Sequence, residues 1–429
     1  MGIQPTAVGA ETPQFTSKHA GLVGEAIDYN HRRQLSRRQS ISAQPCTILH
    51  VTARMITTVV REMKARRWSW RAALHTICLV LTLLMSVEVS ARVEDRFRNG
   101  VPVFSTPDRV ADLVVQDALG VRGKPYGRYK VWQLNAFGFR GPEITRSPRP
   151  GCLRVITLGA SETFGLYESQ GHEYPAQLAT ALREPGCYEV VNASIFGLTI
   201  ANIRQSWNNW TSQFHPAIVT IYPSPSFYLA PYPPGPVAAN AAPFSRPPWW
   251  QPRSLERARD VIDYPDFIQR MRVERGLATI DAAHDPSWFF RTVPPERLEQ
   301  YERDLTSLVR DVKATGARVI LMTHAIGFSR PVAEADVLAL EGWRQIVQRP
   351  TTDVLLEFEA ATRDATIRVG TMTGVEVLDV AAHLNRDKRV FAPGDLMHFN
   401  DEGAFKVAAL LKEAILSHPN ETKAGVTTQ

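Results

Sequence analysis

The chain has 429 residues, room for two or three domains or for one large domain with appendages. Its 44% apolar and 21% charged residues exclude a wholly disordered or collagen-like polymer. The formal charge of +6 would suit a nucleic-acid binder, but residues 1–71 carry 11 Lys/Arg against four acids while the other 358 residues carry 38 against 39. A near-neutral body argues against electrostatic capture of DNA or RNA.

Residues 1–54 have neither helical nor strand periodicity, so the basic tail, 1–71, reads as disordered and cytoplasmic. Translation starting at Met55 or Met63 would leave a short basic region before the next segment, as export signals have. That segment, residues 72–91 (AALHTICLVLTLLMSVEVSA), is just long enough to span a bilayer. Its uninterrupted apolar part, Thr76 to Val87, also fits a signal-peptide core, and Val89-Ser90-Ala91 resembles a signal-peptidase site. Membrane anchor and cleaved signal both stay open. In either case Arg61, Lys64, Arg66, Arg67 and Arg71 remain on the cytoplasmic side and everything after about residue 92 is exported. The expected location is the inner membrane, single-pass with a periplasmic domain, or secretion after cleavage near Ala91.

Residues 92–150 form a lead-in ending in NAFGFRGPEI, and from 151 to 418 short apolar runs alternate with helical periods, before a tail at 419–429. RVITLG, EVVNAS, AIVTIYP, ARVILMTH and VEVLDVA read as five buried strands. Helices are expected at about 173–182, 203–213, 295–315, 354–368 and 401–416, the last with Phe405, Ala408, Leu411 and Ile415 along its buried face. This alternation means an α/β fold, a parallel sheet covered by helices in a three-layer α/β/α sandwich. The stretch 223–294, dense in Pro and Trp, interrupts it and reads as a cap beside the active site or as a solvated insertion. Trp249-Trp250 within it is read as internal packing in preference to a sugar platform.

Four cysteines, Cys46, Cys78, Cys152 and Cys187, show no CxxC pair or His spacing for zinc, so no structural metal and no cofactor is expected. Cys152 and Cys187 each open a predicted strand. If those strands are parallel neighbours the thiols can bridge in an oxidising compartment; otherwise they are two small buried residues.

The first strand runs into Gly159-Ala160-Ser161, which puts Ser161 where a strand turns into a helix: a place for a nucleophile, or for an ordinary helix cap. Asp395-Leu396-Met397-His398 precedes the last helix, and a carboxylate and an imidazole on one short loop can form the orienter and base of a hydrolase triad. His324, at the end of the fourth strand with no neighbouring ligand pattern, reads as structural.

These blocks resemble those of the SGNH (GDSL-like) hydrolases over about residues 130 to 416. LGASETFG is similar to the family's first block with Ala160 in place of Asp, VVNASIFG to its second, and DLMH to its last, while the lead-in is similar to that of membrane-anchored or exported members. The resemblance implies an SGNH/flavodoxin-like sandwich with Ser161 as nucleophile, His398 as general base and Asp395 as its orienter, and with the N–H groups of Ser161 and Gly197 in the oxyanion hole. The third block departs: where the family has Gly-x-Asn-Asp, AIVTIYPSPSFYL offers Tyr222, Ser224, Ser226 and Tyr228. That leaves the oxyanion one donor short, typically a loss of about 2.7–4 kcal/mol, unless Ser224 supplies it. The implied activity is a serine esterase acting on a small O-acyl ester, with cell-surface carbohydrate as the substrate class. The alternatives are an O-acyltransferase or accessory factor in polysaccharide modification and a catalytically inactive glycan-binding domain.

Overall fold

The structure, a computed structural model, describes residues 70–99, 102–105, 110–129, 131–232, 250–255 and 266–417. The basic tail up to residue 69, with Cys46, Met55 and Met63, the stretch 233–249 with Trp249, and the tail after residue 417 lie outside the described residues. The rest falls into two compact units.

The smaller unit is built on helix α1, Trp70–Asn99. Its 30 residues exceed the expected 72–91 and span about 45 Å at 1.5 Å per residue. Ile77, Leu79, Leu83, Leu84 and Met85 are all exposed, and the helix is long and apolar enough to serve as a membrane anchor or a signal segment. Polar contacts gather towards its C-terminal end. Glu88 accepts from Arg92 Nε at 2.6 Å and from the Ser254 N–H and hydroxyl at 2.9 and 2.8 Å. Arg253 pairs with Asp95 at 3.0 Å and donates to the carbonyls of Pro102 and Ser105. Residues 250–255, within the stretch 223–294 that reads as a cap or as a solvated insertion, belong to the α1 unit, bound to its acids through a buried arginine.

The larger unit holds five parallel strands: β1 (Leu153–Gly159), β2 (Tyr188–Asn192), β3 (Ile218–Tyr222), β4 (Arg318–Met322) and β5 (Glu376–Leu378), in the order β2-β1-β3-β4-β5. Register runs Val155 to Val190 and Ile218, and Ile320 to Thr220 and Glu376. β1 and β3 are buried on both faces, as their unbroken apolar runs require. Leu153 pairs with Tyr188, so the residues just before them lie side by side, and Cys152 and Cys187 form a disulfide with Cα atoms 4.5 Å apart. Closing a loop with a sequence separation of 35 stabilises the fold by roughly 3–4 kcal/mol in the chain-entropy account.

Helices α2 (Ser161–Phe164), α3 (Tyr174–Ala181), α4 (Ile200–Asn209), α5 (Asp266–Ala283), α6 (Pro295–Lys313), α7 (Val337–Val347), α8 (Thr352–Thr373), α9 (Val380–Leu384) and α10 (Asp401–Ser417) complete the unit. α3 packs on α10 in one layer, and α6 packs on α4 and α8 in the other. α10 buries Ala404, Val407, Ala408, Leu411, Ala414 and Ile415. Phe405, expected on that face, is 62% exposed because the stripe is centred one residue away. Three helices do not stand out in the sequence. α7 buries only Leu340, Trp343 and Val347 and carries Gly342, a poor helix former, in its interior, α5 scatters its apolar residues around the axis, and α9 is barely one turn.

The unit also includes residues 110–150, two antiparallel ribbons (Val114–Asp117 with Gly120–Gly123, Arg128–Tyr129 with Trp132–Gln133) and the NAFGFRG turn. Asn135 Oδ1 accepts the N–H groups of Phe137 and Phe139, which bends the chain. Gly138 sits at φ 83°, where a Cβ would lie 2.0 Å from the Gly123 carbonyl oxygen, so no larger residue fits. Trp132, almost wholly buried, packs edge-on against Phe164 at 5.8 Å, which ties the lead-in to α2.

Candidate active site

A side chain at Gly159 would meet the Thr163 hydroxyl at 1.9 Å and the Tyr222 carbonyl at 2.9 Å; its absence lets β1 turn directly into α2. Ser161 opens that one-turn helix at the carboxyl edge of the sheet, where the first N–H groups have no intrahelical acceptor. Asn192, the last residue of β2, donates to the Thr163 and Phe164 carbonyls at 2.9 and 3.4 Å. Arg140, from the NAFGFRG turn, donates to those of Phe164 and Gly165 at 2.6 and 2.5 Å. Arg140 is itself buried and pairs with Glu173 at 3.1 Å. The lead-in therefore bolts down the turn that carries Ser161, a role its sequence does not announce.

On the loop before α10, Asp395 Oδ1 accepts from the Met397 N–H at 2.9 Å, the His398 N–H at 2.8 Å and the His398 ring at 2.9 Å. These bonds hold Leu396 at φ 61°, a left-handed conformation uncommon for a non-glycine residue. Nδ1 faces a carboxylate and so carries the ring proton, leaving Nε2 as the acceptor. Nε2 is buried and has no hydrogen-bond partner among the described residues. The ring stacks on Trp343 of α7 at 5.6 Å and meets the edge of Tyr167 at 5.0 Å. Burial disfavours its charged form, but the charge and hydrogen bond of Asp395 and the charge of Glu162 outweigh this and raise its pKa.

The fold brings Asp395 and His398 within hydrogen-bonding distance. Ser161 and Ser224 are brought together, but through a residue the sequence does not single out. Glu162 Oε2 accepts from the Ser224 hydroxyl at 2.6 Å and from the Ser161 hydroxyl at 3.3 Å. A hydroxyl has one proton, so in this state Ser224 gives nothing to an oxyanion and Ser161 gives nothing to His398. Gly197, in the loop after β2, adopts φ 75°.

Glu162 is the near end of a buried chain. Its Oε1 lies 3.2 Å from His324 Nε2, His324 Nδ1 lies 2.7 Å from Glu359 Oε2, and Ser226 donates to Glu359 Oε1 at 2.7 Å. Burial would neutralise Glu162, yet the bond from His324, the charges of His398 and His324 and the Ser224 bond bring its pKa down to about 2. Burial likewise opposes the charge on His324, and the two flanking carboxylates raise its pKa to about 10.

The pair sets a stability window. His324 binds its proton more tightly folded than unfolded, so its contribution is complete below about pH 6.5 and is lost as pH rises through about 10. Glu162, depressed in the folded state, contributes fully above about pH 4.5 and loses this as pH falls through about 2. Denaturant unfolding measured from pH 4 to 10 is expected to show greatest stability between about 4.5 and 6.5 and a decline on the alkaline side. A flat alkaline limb would mean that His324 is neutral.

No family model matches the chain, and no curated protein matches it. Among solved structures it is similar to a psychrotrophic esterase, EstA, from Pseudoalteromonas sp. (12% identity, 62% of this chain and 98% of that one, TM-score 0.36). It is similar too to a catalytic mutant of Axe2, an acetylxylan esterase from Geobacillus stearothermophilus (16% identity, 60% and 92% covered, TM-score 0.34). A third is LAE5, an alpha/beta hydrolase enzyme from the metagenome of Lake Arreo, Spain (18% identity, 64% and 97% covered, TM-score 0.34).

Proposed function

We propose that the chain is an exported serine esterase, held at the inner membrane by α1 with its α/β unit periplasmic, that removes a small acyl group from an oxygen of cell-surface carbohydrate. The observation that carries this reading is the Asp395–His398 pair, whose buried Nε2 has no partner among the described residues and whose imidazole is close enough to couple electrostatically with Glu162, the residue bonded to Ser161. In the reaction, Ser161 Oγ bonds to the acyl carbon as its proton passes to His398 Nε2, the carbonyl electron pair moves onto oxygen, and the N–H groups of Ser161 and Gly197 receive that charge. His398 then protonates the departing alkoxide, and water repeats the sequence to release the acid. Ser224 is a third donor only once its hydroxyl leaves Glu162.

Export is supported by the apolar, exposed surface of α1 behind five basic residues and by the Cys152–Cys187 disulfide, which belongs to an oxidising compartment. The carbohydrate class rests on the resemblance of the sequence blocks and on that compartment.

A fluorophosphonate probe is expected to label Ser161 in the full chain, and p-nitrophenyl acetate turnover is expected to vanish in Ser161→Ala. The hydrogen bond of Ser161 to Glu162 in place of His398 favours one other reading, an inactive glycan-binding domain. Absence of labelling, with glycan binding that survives Ser161→Ala, would establish that reading instead.

A further inference from the structure

The α/β unit buries two carboxylates and an imidazole in one line that ends on the nucleophile: Glu359, His324, Glu162, Ser161. The three ionisable groups come from three distant parts of the chain: Glu162 from α2, His324 from the end of β4 and Glu359 from the inner face of α8. Taking such charges out of water is costly, and an apolar set of similar volume would often stabilise a core as well or better. Burial alone therefore gives no reason for the chain, whereas its end point does.

We propose that Glu162 is a second carboxylate serving the reaction centre: it holds the Ser161 hydroxyl in the resting site, and its fixed negative charge then stabilises the imidazolium formed at His398, with His324 and Glu359 as positioning residues that keep it in place. The proposal rests on the esterase reading for its reaction. When the Ser161 hydroxyl turns from Glu162 to His398 Nε2, the Oγ–H bond breaks, the proton goes to Nε2 and Oγ bonds to the acyl carbon; Glu162 neither gains nor loses a proton. It is suited to that passive part because the protonated His324 keeps it ionised throughout the working pH range. Ser224, donating to the same oxygen as Ser161, fixes the carboxylate's orientation. The arrangement resolves the awkward resting geometry: the hydroxyl is parked on a weak base at 3.3 Å while the stronger base waits unpaired.

The charged and titratable groups that face His398 are Asp395 on its own loop, Glu162 and Tyr167 from the segment following β1, and His324 from the end of β4; Trp343 of α7 brings no charge. Asp395, Glu162 and His324 are the ones that set its protonation. The test is a ¹⁵N-histidine NMR titration of His398 in the full chain, beside the rate of fluorophosphonate labelling. Glu162→Gln keeps the shape and removes the charge, and is expected to lower the His398 pKa by about one unit and to slow labelling by up to about tenfold at a pH above both values. Glu162→Asp, which restores the charge, is expected to return most of that shift. Glu359→Gln removes a negative charge one link further away and is expected to move His398 in the same direction by less than half as much; it also serves if Glu162→Gln does not fold. An unmoved His398 pKa in both Gln variants, with labelling undiminished, overturns the proposal and leaves the esterase reading standing. Failure of the wild type to label at Ser161, whatever the titration gives, overturns the esterase reading and the role built on it.

Discussion

Replacing His398 with Ala is expected to lower the rate at which Ser161 reacts with a fluorophosphonate by about three orders of magnitude, within the range that a positioned general base contributes. The Ser161 hydroxyl has two acceptors to choose between. Glu162 is the one it touches, at 3.3 Å, but a carboxylate whose pKa is depressed to about 2 takes up a proton poorly at neutral pH. His398 has the better match, since the charge of Asp395 overcomes burial and raises its pKa, and its buried Nε2 has no hydrogen-bond partner among the described residues. The substitution also leaves a slot the size of an imidazole, walled by Trp343 and Tyr167. Free imidazole at tens of millimolar is therefore expected to restore part of the labelling in His398→Ala and to do nothing for Ser161→Ala. An undiminished rate in His398→Ala would shift the base function to Glu162.

The sheet was readable in advance because its five strands are short, centred on apolar runs and separated by helices, with β1 and β3 buried on both faces. The Asp395–His398 pair was readable because only two residues lie between its members and one loop holds both. The Cys152–Cys187 link could be inferred because each cysteine opens one of two adjacent parallel strands. Glu162, His324 and Glu359 were not, since they are far apart in the chain and meet only after the sheet has formed. One trace of them does exist in the sequence. Along α8 the buried positions run Leu355, Phe358, Glu359, Thr362, Thr366 and Val369, and an acid on such a face has to find a partner inside. The fate of residues 250–255 was equally hidden, because what holds them is a buried arginine among acids and carbonyls that no periodicity marks.

Arg140→Met is expected to destabilise the folded chain by about 3–5 kcal/mol, the usual result of removing one member of a buried ion pair, and to suppress Ser161 labelling in whatever remains folded. The guanidinium does two jobs at once. It neutralises Glu173, which is itself buried, and it caps the Phe164 and Gly165 carbonyls at the end of the helix that Ser161 begins. Burial raises the pKa of nearby Glu168, against the charge of Arg140, which lowers it. Urea unfolding of Arg140→Met beside the double variant Arg140→Met/Glu173→Gln separates the two jobs. With Glu173 neutralised, most of the lost stability is expected to return, because the stranded carboxylate is gone. Labelling is not expected to return with it, since the Gly165 carbonyl loses its Arg140 donor and Asn192 is left to hold the end of α2 without the guanidinium. Arg140→Lys should fall between the two, for an ammonium can answer the charge of Glu173 but cannot reach two carbonyls and a carboxylate together as a planar fork does. Full recovery of labelling in the double variant would mean that Arg140 matters only as the partner of Glu173, and that Asn192 alone suffices to hold the turn that carries Ser161.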